Sequence, residues 1–248
     1  MPDKIIVITG ANGGLGRALA RRFVADGEQV VLLGRSLSKV TTMAEALGER
    51  AVPIECDLTV PASIHAAFTK IGKLHPQIDA LISCAATFKP FLLEEATEEQ
   101  IMSAVLTNLA GPIFCARWSV PLLRRGGHII NVSSESVDMP FPHLTLYQST
   151  KSGLETFSRH LDSELEARGI RVTTVRAGQM TGHKPDFDFE SPAVVHFMEA
   201  AKQRGLDLMA RGSSTYESTT EIFRSLIDLP ADLKVGLLTY QARIPTDS

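Results

Sequence analysis

The stretch "KIIVITGANGGLG", Lys4–Gly16, decides the fold. Its first half is continuously apolar, as a strand covered on both faces of a sheet must be. A strand with one wet face would alternate instead. Its second half is a glycine-rich turn, and a helical pattern follows from about Leu15 to Ala25. Gly10, Gly14 and Gly16 allow the backbone to turn tightly and to approach a pyrophosphate closely. The helix N-terminus then offers unpaired N–H groups and the positive end of its dipole to that anion. Asn12 and Leu15 belong to the same turn and are counted with the glycines as candidate cofactor contacts.

Working outward, the strand–helix unit repeats. Apolar runs at 29–33, 51–55, 78–83, 128–133, 170–175 and 235–240 alternate with helical patterns near 38–47, 61–74, 97–124, 147–168 and 216–228. Such alternation predicts a Rossmann-like, doubly wound parallel sheet of about seven strands with helices on both faces. Crossovers should be right-handed. Residues 1–248 read as one dinucleotide-binding and catalytic domain, without repeats or linkers. The segment 183–216 breaks the rhythm and is expected to form a substrate-side insertion or lid.

Composition narrows the class. A formal net charge of −3 gives no basic field for nucleic acid or an anionic membrane. Cys56, Cys84 and Cys115 are odd in number and far apart, which fits neither a disulfide framework nor a zinc site. The histidines show no metal-ligand spacing, so no metal is expected. The first strand begins almost at once and no apolar run reaches the roughly 18 residues of a membrane helix. A cytoplasmic location is the expectation.

A second stretch carries chemistry. In "YQSTK", Tyr147 and Lys151 sit four residues apart, on one face of a helix. The glycine spacing G-x-x-x-G-x-G also departs from the usual G-x-G-x-x-G fingerprint. Together they resemble the short-chain dehydrogenase/reductase family in its shorter, single-domain form. Further matching motifs stand in the expected order: Asp57 after the third strand, Asn108 in "NLAG", and Ser134 at the end of "NVSS". Three segments depart from the family pattern. "SCAA" (83–86) keeps only Ala85 of N-N-A-G, Ala177-Gly178 replaces P-G, and the C-terminal D-G-G is absent.

The resemblance implies an enzyme that interconverts a ketone and a secondary alcohol. Tyr147 would donate or accept the proton, and Ser134 would hold the substrate oxygen. Lys151 would bind the nicotinamide ribose and lower the tyrosine's pKa. At about 5.5 Å and an effective dielectric near 20, that attraction is roughly 3 kcal/mol, or about two pKa units. Asn108 would support a relay water. Asp57, Leu58, Ala85, Asn108, Tyr147, Lys151 and Thr181 would join the glycine turn in holding the cofactor.

At the end of the second strand an acid would select NAD, whereas an arginine accommodates a 2′-phosphate. Here Gly34 takes the acid's place and Arg35 follows, which points to NADP(H). Apolar residues in 183–216 and in "VDMPFPHL" (137–144) suggest a hydrophobic substrate. A 3-ketoacyl carrier-protein reductase and a non-catalytic dinucleotide sensor remain alternatives. The family also implies a homotetramer or homodimer packed through the helices near 97–124 and 147–168.

Overall fold

Seven parallel strands form the central sheet, in the order β3-β2-β1-β4-β5-β6-β9. They are β1 (Ile5–Thr9), β2 (Gln29–Gly34), β3 (Ala51–Glu55), β4 (Ile78–Ser83), β5 (Leu123–Ser134), β6 (Arg171–Ala177) and β9 (Leu237–Tyr240). The structure, a computed structural model, describes residues 3–182 and 191–243. Phe187 and Phe189, expected on the substrate side, lie outside the described residues.

Alternation along each strand feeds two cores. Ile6 and Ile8 of β1 face one side with Leu15, Leu19 and Phe23 of α1 (Gly14–Ala25), Val40 of α2 (Leu37–Leu47) and Phe223 of α8 (Tyr216–Asp228). Val7 faces the other side with Ile64, Phe68 and Ile71 of α3 (Pro61–Leu74), and with Cys115 and Ala116 of α5 (Gly111–Ser119). Each such fully buried large side chain contributes about 1.5–3 kcal/mol over its exposed form. Both faces are therefore sealed, as the unbroken apolar runs require.

The helical pattern at 97–124 is not one helix. It divides into α4 (Glu98–Val105), a π-helical turn (Leu106–Ala110) and α5, and β5 begins as early as Leu123. Thr97 starts α4 with a reciprocal capping box to Gln100. The break has a covalent cause. Pro112 has no N–H to give back to the preceding turn. The ladder instead slips by one residue, and the Gly111 N–H bonds to the Leu106 carbonyl. The segment's apolar periodicity runs through this slip, so the sequence alone reads as continuous.

The chain crosses from β3 to β4 on the far side of β1. The strand order therefore reverses between β1 and β4, and such a point opens a ligand crevice at the strands' C-terminal ends. Past β6, the chain forms β7 (Met180–Thr181), leaves the sheet, includes α7 (Pro192–Gln203) and returns at β8 (Ser214–Thr215). β7 and β8 pair in parallel, Met180 with Ser214 and Thr181 with Thr215. The excursion thus departs and returns at one place.

One buried polar group inside the sheet has a pH consequence. The Thr173 hydroxyl donates its only proton to the Val235 carbonyl, so His128 Nε2, 2.7 Å away, must donate to Thr173. Burial, with Arg171 alongside, pushes the His128 pKa down to about 3 from 6.5. Between those values the unfolded chain binds a proton that the folded chain excludes. Stability therefore falls as pH drops below 6.5. His128→Gln, which keeps a donor for Thr173, should reduce the loss of melting temperature between about pH 7 and 5 by a few degrees. An identical loss in both proteins would remove His128 as its source.

Candidate active site

The glycine turn lies at the β1 end of the crevice. Gly10 has φ of 64°, and a methyl group there would lie 2.8 Å from Ala85 Cα. A methyl at Gly16 would lie 2.3 Å from the Gly10 carbonyl oxygen. These two glycines let the turn close on itself and on the end of β4. Gly14 serves a further purpose that its motif does not reveal: the Tyr216 ring occupies the space where its side chain would be. Helix α1 has no acidic residue in its first turn, so its N-terminus is free to favour an anion. Leu15 is buried beneath the turn. Arg17 reaches back to the Asn12 carbonyl at 2.8 Å and adds a cation to the rim, a residue that the motif reading missed.

At the end of β2, Arg35 is exposed beyond the buried Gly34. A methyl at Gly34 would lie 2.7 Å from Val40 Cγ1 and 2.9 Å from Asn12 Oδ1. A side chain there would have to displace those of Val40 and Asn12, so the glycine suits this packing, and Arg35 stands exposed beside it. Asp57 Oδ1 accepts from both the N–H and the hydroxyl of Thr59, at 2.9 and 2.7 Å, and shapes the turn into α3. Leu58 is buried against Gly111. Thr181 is exposed in β7. The glycine turn, Arg35, Asp57 and Leu58 lie at the β1–β3 side of the crevice, where a small, anion-favouring cradle fits a dinucleotide phosphate, and Thr181 lies beyond β6.

Ser134 ends β5, and Tyr147 and Lys151 lie in the first two turns of α6 (Thr145–Leu165). Ser134 neighbours the Tyr147 phenol and favours its ionised form. Lys151 is only 2 % exposed, and its Nζ donates to the Val132 carbonyl at 2.8 Å. That ammonium lies 5.9 Å from the centre of the Tyr147 ring. Burial brings its pKa down to about 8, opposed by the neighbouring Cys84. Burial holds the Cys84 thiol near 12 against the pull of Lys151.

The tyrosine departs from expectation. Burial pushes its pKa up to about 12, and only Ser134 pulls it back. The expected lowering by Lys151 does not prevail: desolvation of the phenolate raises the pKa, and the Lys151 ammonium is directed at Val132. The phenol is therefore held protonated near neutral pH.

Asn108 is fully buried in the π-helical turn. Its Oδ1 accepts from the Thr87 N–H at 2.8 Å. Its Nδ2 donates to the Thr87 carbonyl at 3.0 Å and to Thr150 Oγ1 at 3.4 Å. Both amide hydrogens are thus engaged inside the protein. The side chain fastens the strand exit after β4 to the helix that carries Tyr147.

Apolar residues after β4, before α6 and in the excursion form one cluster against Tyr147. Phe88 meets its ring edge-on at 4.9 Å, and Phe197 of α7 packs on Phe88 and Phe141 at 6.1 and 6.2 Å. Arg211 donates to the buried Glu135 carboxylate at 2.6 Å, and Gln241 donates to the same oxygen at 2.8 Å. Glu135 follows Ser134 directly, so this pairing ties the returning chain and Gln241 to the end of β5. The sequence offered no signal for it.

The phenol can be titrated by its phenolate absorbance, with Tyr147→Phe as the reference. The chain has three tyrosines, so the difference spectrum is clean. It should show no Tyr147 phenolate at about pH 10, the ordinary midpoint. Ser134→Ala should raise the midpoint further. Half-ionisation near 10 would overturn the burial argument.

The family model described as short chain dehydrogenase matches residues 4–184. The chain is 28% identical over 237 residues to an NADP-dependent 3-hydroxy acid dehydrogenase of Salmonella typhi, covering 94% of this chain and 92% of the relative. It is 30% identical over 178 residues to carbonyl reductase family member 4 of Danio rerio, covering 71% and 75%. An alcohol dehydrogenase of Thermococcus sibiricus, solved with 5-hydroxy-NADP, shares the fold with a TM-score of 0.81 and 23% identity, over 99% of both chains. With the glycine turn, Ser134, Tyr147 and Lys151 gathered at one end of a parallel sheet, the chain belongs to the short-chain dehydrogenase family of oxidoreductases.

Proposed function

We propose that the protein is an NADP(H)-dependent oxidoreductase that interconverts a ketone and a secondary alcohol. The observation that carries this reading is the Tyr147 phenol, held protonated by burial, with Ser134 beside it and Lys151 one turn later. The dinucleotide phosphates would lie on the glycine turn and the α1 N-terminus, near Arg17. Arg35 would face the adenosine 2′-phosphate, and Gly34 stands where an acid would prefer a bare ribose. The Salmonella relative's name specifies NADP, which supports the same assignment.

When bound, the reduced nicotinamide supplies the hydride that reaches the carbonyl carbon. Ser134 then holds the carbonyl oxygen, and Tyr147 gives that oxygen its proton as charge develops there. A pKa near 12 keeps the proton in place until the transfer. Lys151, half-neutralised near pH 8, would hold the ribose and restore the proton. Because the Asn108 amide is fully engaged, a relay water would rest on main-chain carbonyls of the π-helical turn, one of which loses its donor at Pro112. The excursion between β7 and β8 would act as the lid.

The test follows nicotinamide absorbance across a panel of ketones and alcohols with NADPH and NADP⁺. Tyr147→Phe should bind NADPH normally and lose turnover by about 10²–10⁴-fold. Wild-type turnover in that variant would end the proposed mechanism. Arg35→Ala should weaken NADPH binding by roughly 10–100-fold and barely alter NADH. An unchanged ratio of kcat/KM for the two cofactors would remove Arg35 from the site.

A further inference from the structure

Resting on that reading, we propose that the substrate carries a carboxylate beyond its reacting carbonyl, and that Lys89 receives it. A cavity of about 270 Å³ opens beside Tyr147, between the chain after β4 and the start of α4. Its wall includes Thr87, Lys89, Phe91, Glu99 and Ser103. The two sides of Tyr147 therefore differ. Phe88 and Phe197 form an apolar wall on one side, and hydroxyls and an ammonium line the other.

The charges near Tyr147 are not equivalent. Arg211 is held by the Glu135 carboxylate and has no charge to spare for a ligand. Lys89, exposed toward the cavity, forms no ion pair or hydrogen bond among the described residues. Glu99 shares the wall, yet it makes no ion pair with Lys89 and sits in the first turn of α4, where the helix dipole favours its charge. The hydroxyls of Thr87 and Ser103 are likewise uncommitted among the described residues. Thr97 and Gln100, by contrast, spend their polar atoms on the capping box. A carboxylate needs several donors at once, and Lys89 and Thr87 from the chain after β4, with Ser103 from α4, line one cavity and offer them.

The wall is also rigid at the point that matters. Asn108 grips both the N–H and the carbonyl of Thr87. Thr87 cannot shift without breaking two buried hydrogen bonds, so its distance from Tyr147 is set. A keto acid whose carbonyl reaches Tyr147 would therefore present its carboxylate to a pre-organised wall, and binding would cost little reorganisation.

The experiment compares acetoacetate with its methyl ester as substrates for NADPH oxidation. The two share the reacting ketone and differ in the charge. Wild type should favour the acid in kcat/KM by about 10–100-fold, the expectation for a hydrogen bond to a charged group. Lys89→Met should collapse that ratio toward one, through KM rather than kcat, and Lys89→Arg should restore much of it. Lys89 lies at the surface, so these variants should fold. Equal use of acid and ester by wild type, or an acid preference that survives Lys89→Met, overturns the proposal. If neutral ketones turn over and acids do not, the carboxylate assignment fails while the oxidoreductase reading stands. If no carbonyl compound in the panel oxidises NADPH, that reading fails and this one with it.

Discussion

A single buried amide sets the geometry on which the site depends. Asn108 satisfies both main-chain groups of Thr87 and touches Thr150 on α6. Three elements that are distant in sequence are thereby fixed together: the exit of β4, the π-helical turn and the helix bearing Tyr147. An unsatisfied amide at full burial would cost about 1–3 kcal/mol per group. The clamp is therefore hard to open partway. Asparagine is a poor interior helix residue, and its presence here is paid for by what it holds.

Burial then does the chemical tuning. The same low-dielectric environment raises the pKa of Tyr147, raises that of Cys84 and lowers that of Lys151. Each shift favours the neutral form. Near neutral pH the corner holds an intact phenol, an intact thiol and an ammonium close to its own midpoint. The charge on these three groups is then that of the Lys151 ammonium, which is still mostly protonated about one unit below its midpoint. The permanent ion pair, Arg211 with Glu135, stands one residue beyond Ser134 and is internally balanced.

Local chemistry explains what the sequence discloses. The turn at Gly10–Gly16 is legible because tight backbone approach permits only glycine, and Tyr147 with Lys151 because helix spacing fixes their common face. The strand runs are legible because both sheet faces are covered. The π-helical slip is harder, although Pro112 carries the signal, since apolar periodicity continues through it. Tyr216 against Gly14, Arg211 on Glu135 and the crowding at Gly34 are products of packing between distant segments. No local pattern encodes them. The direction of the Tyr147 shift was also hidden, because a pairwise attraction can be read from spacing whereas desolvation depends on everything that surrounds the ring.

The pairing of β7 with β8 has a consequence for how this architecture can change. It brings Thr181 and Thr215 side by side before and after the excursion. The ends of that loop are closed by the sheet itself, so the entropy of closure is already set against backbone hydrogen bonds. Each doubling of a flexible loop's length adds only about 0.6 kcal/mol. Changes of length between these two anchors would therefore tax loop closure lightly. What constrains the excursion is packing instead: Phe197 and Ala201 of α7 are buried, and Arg211 is paired with Glu135.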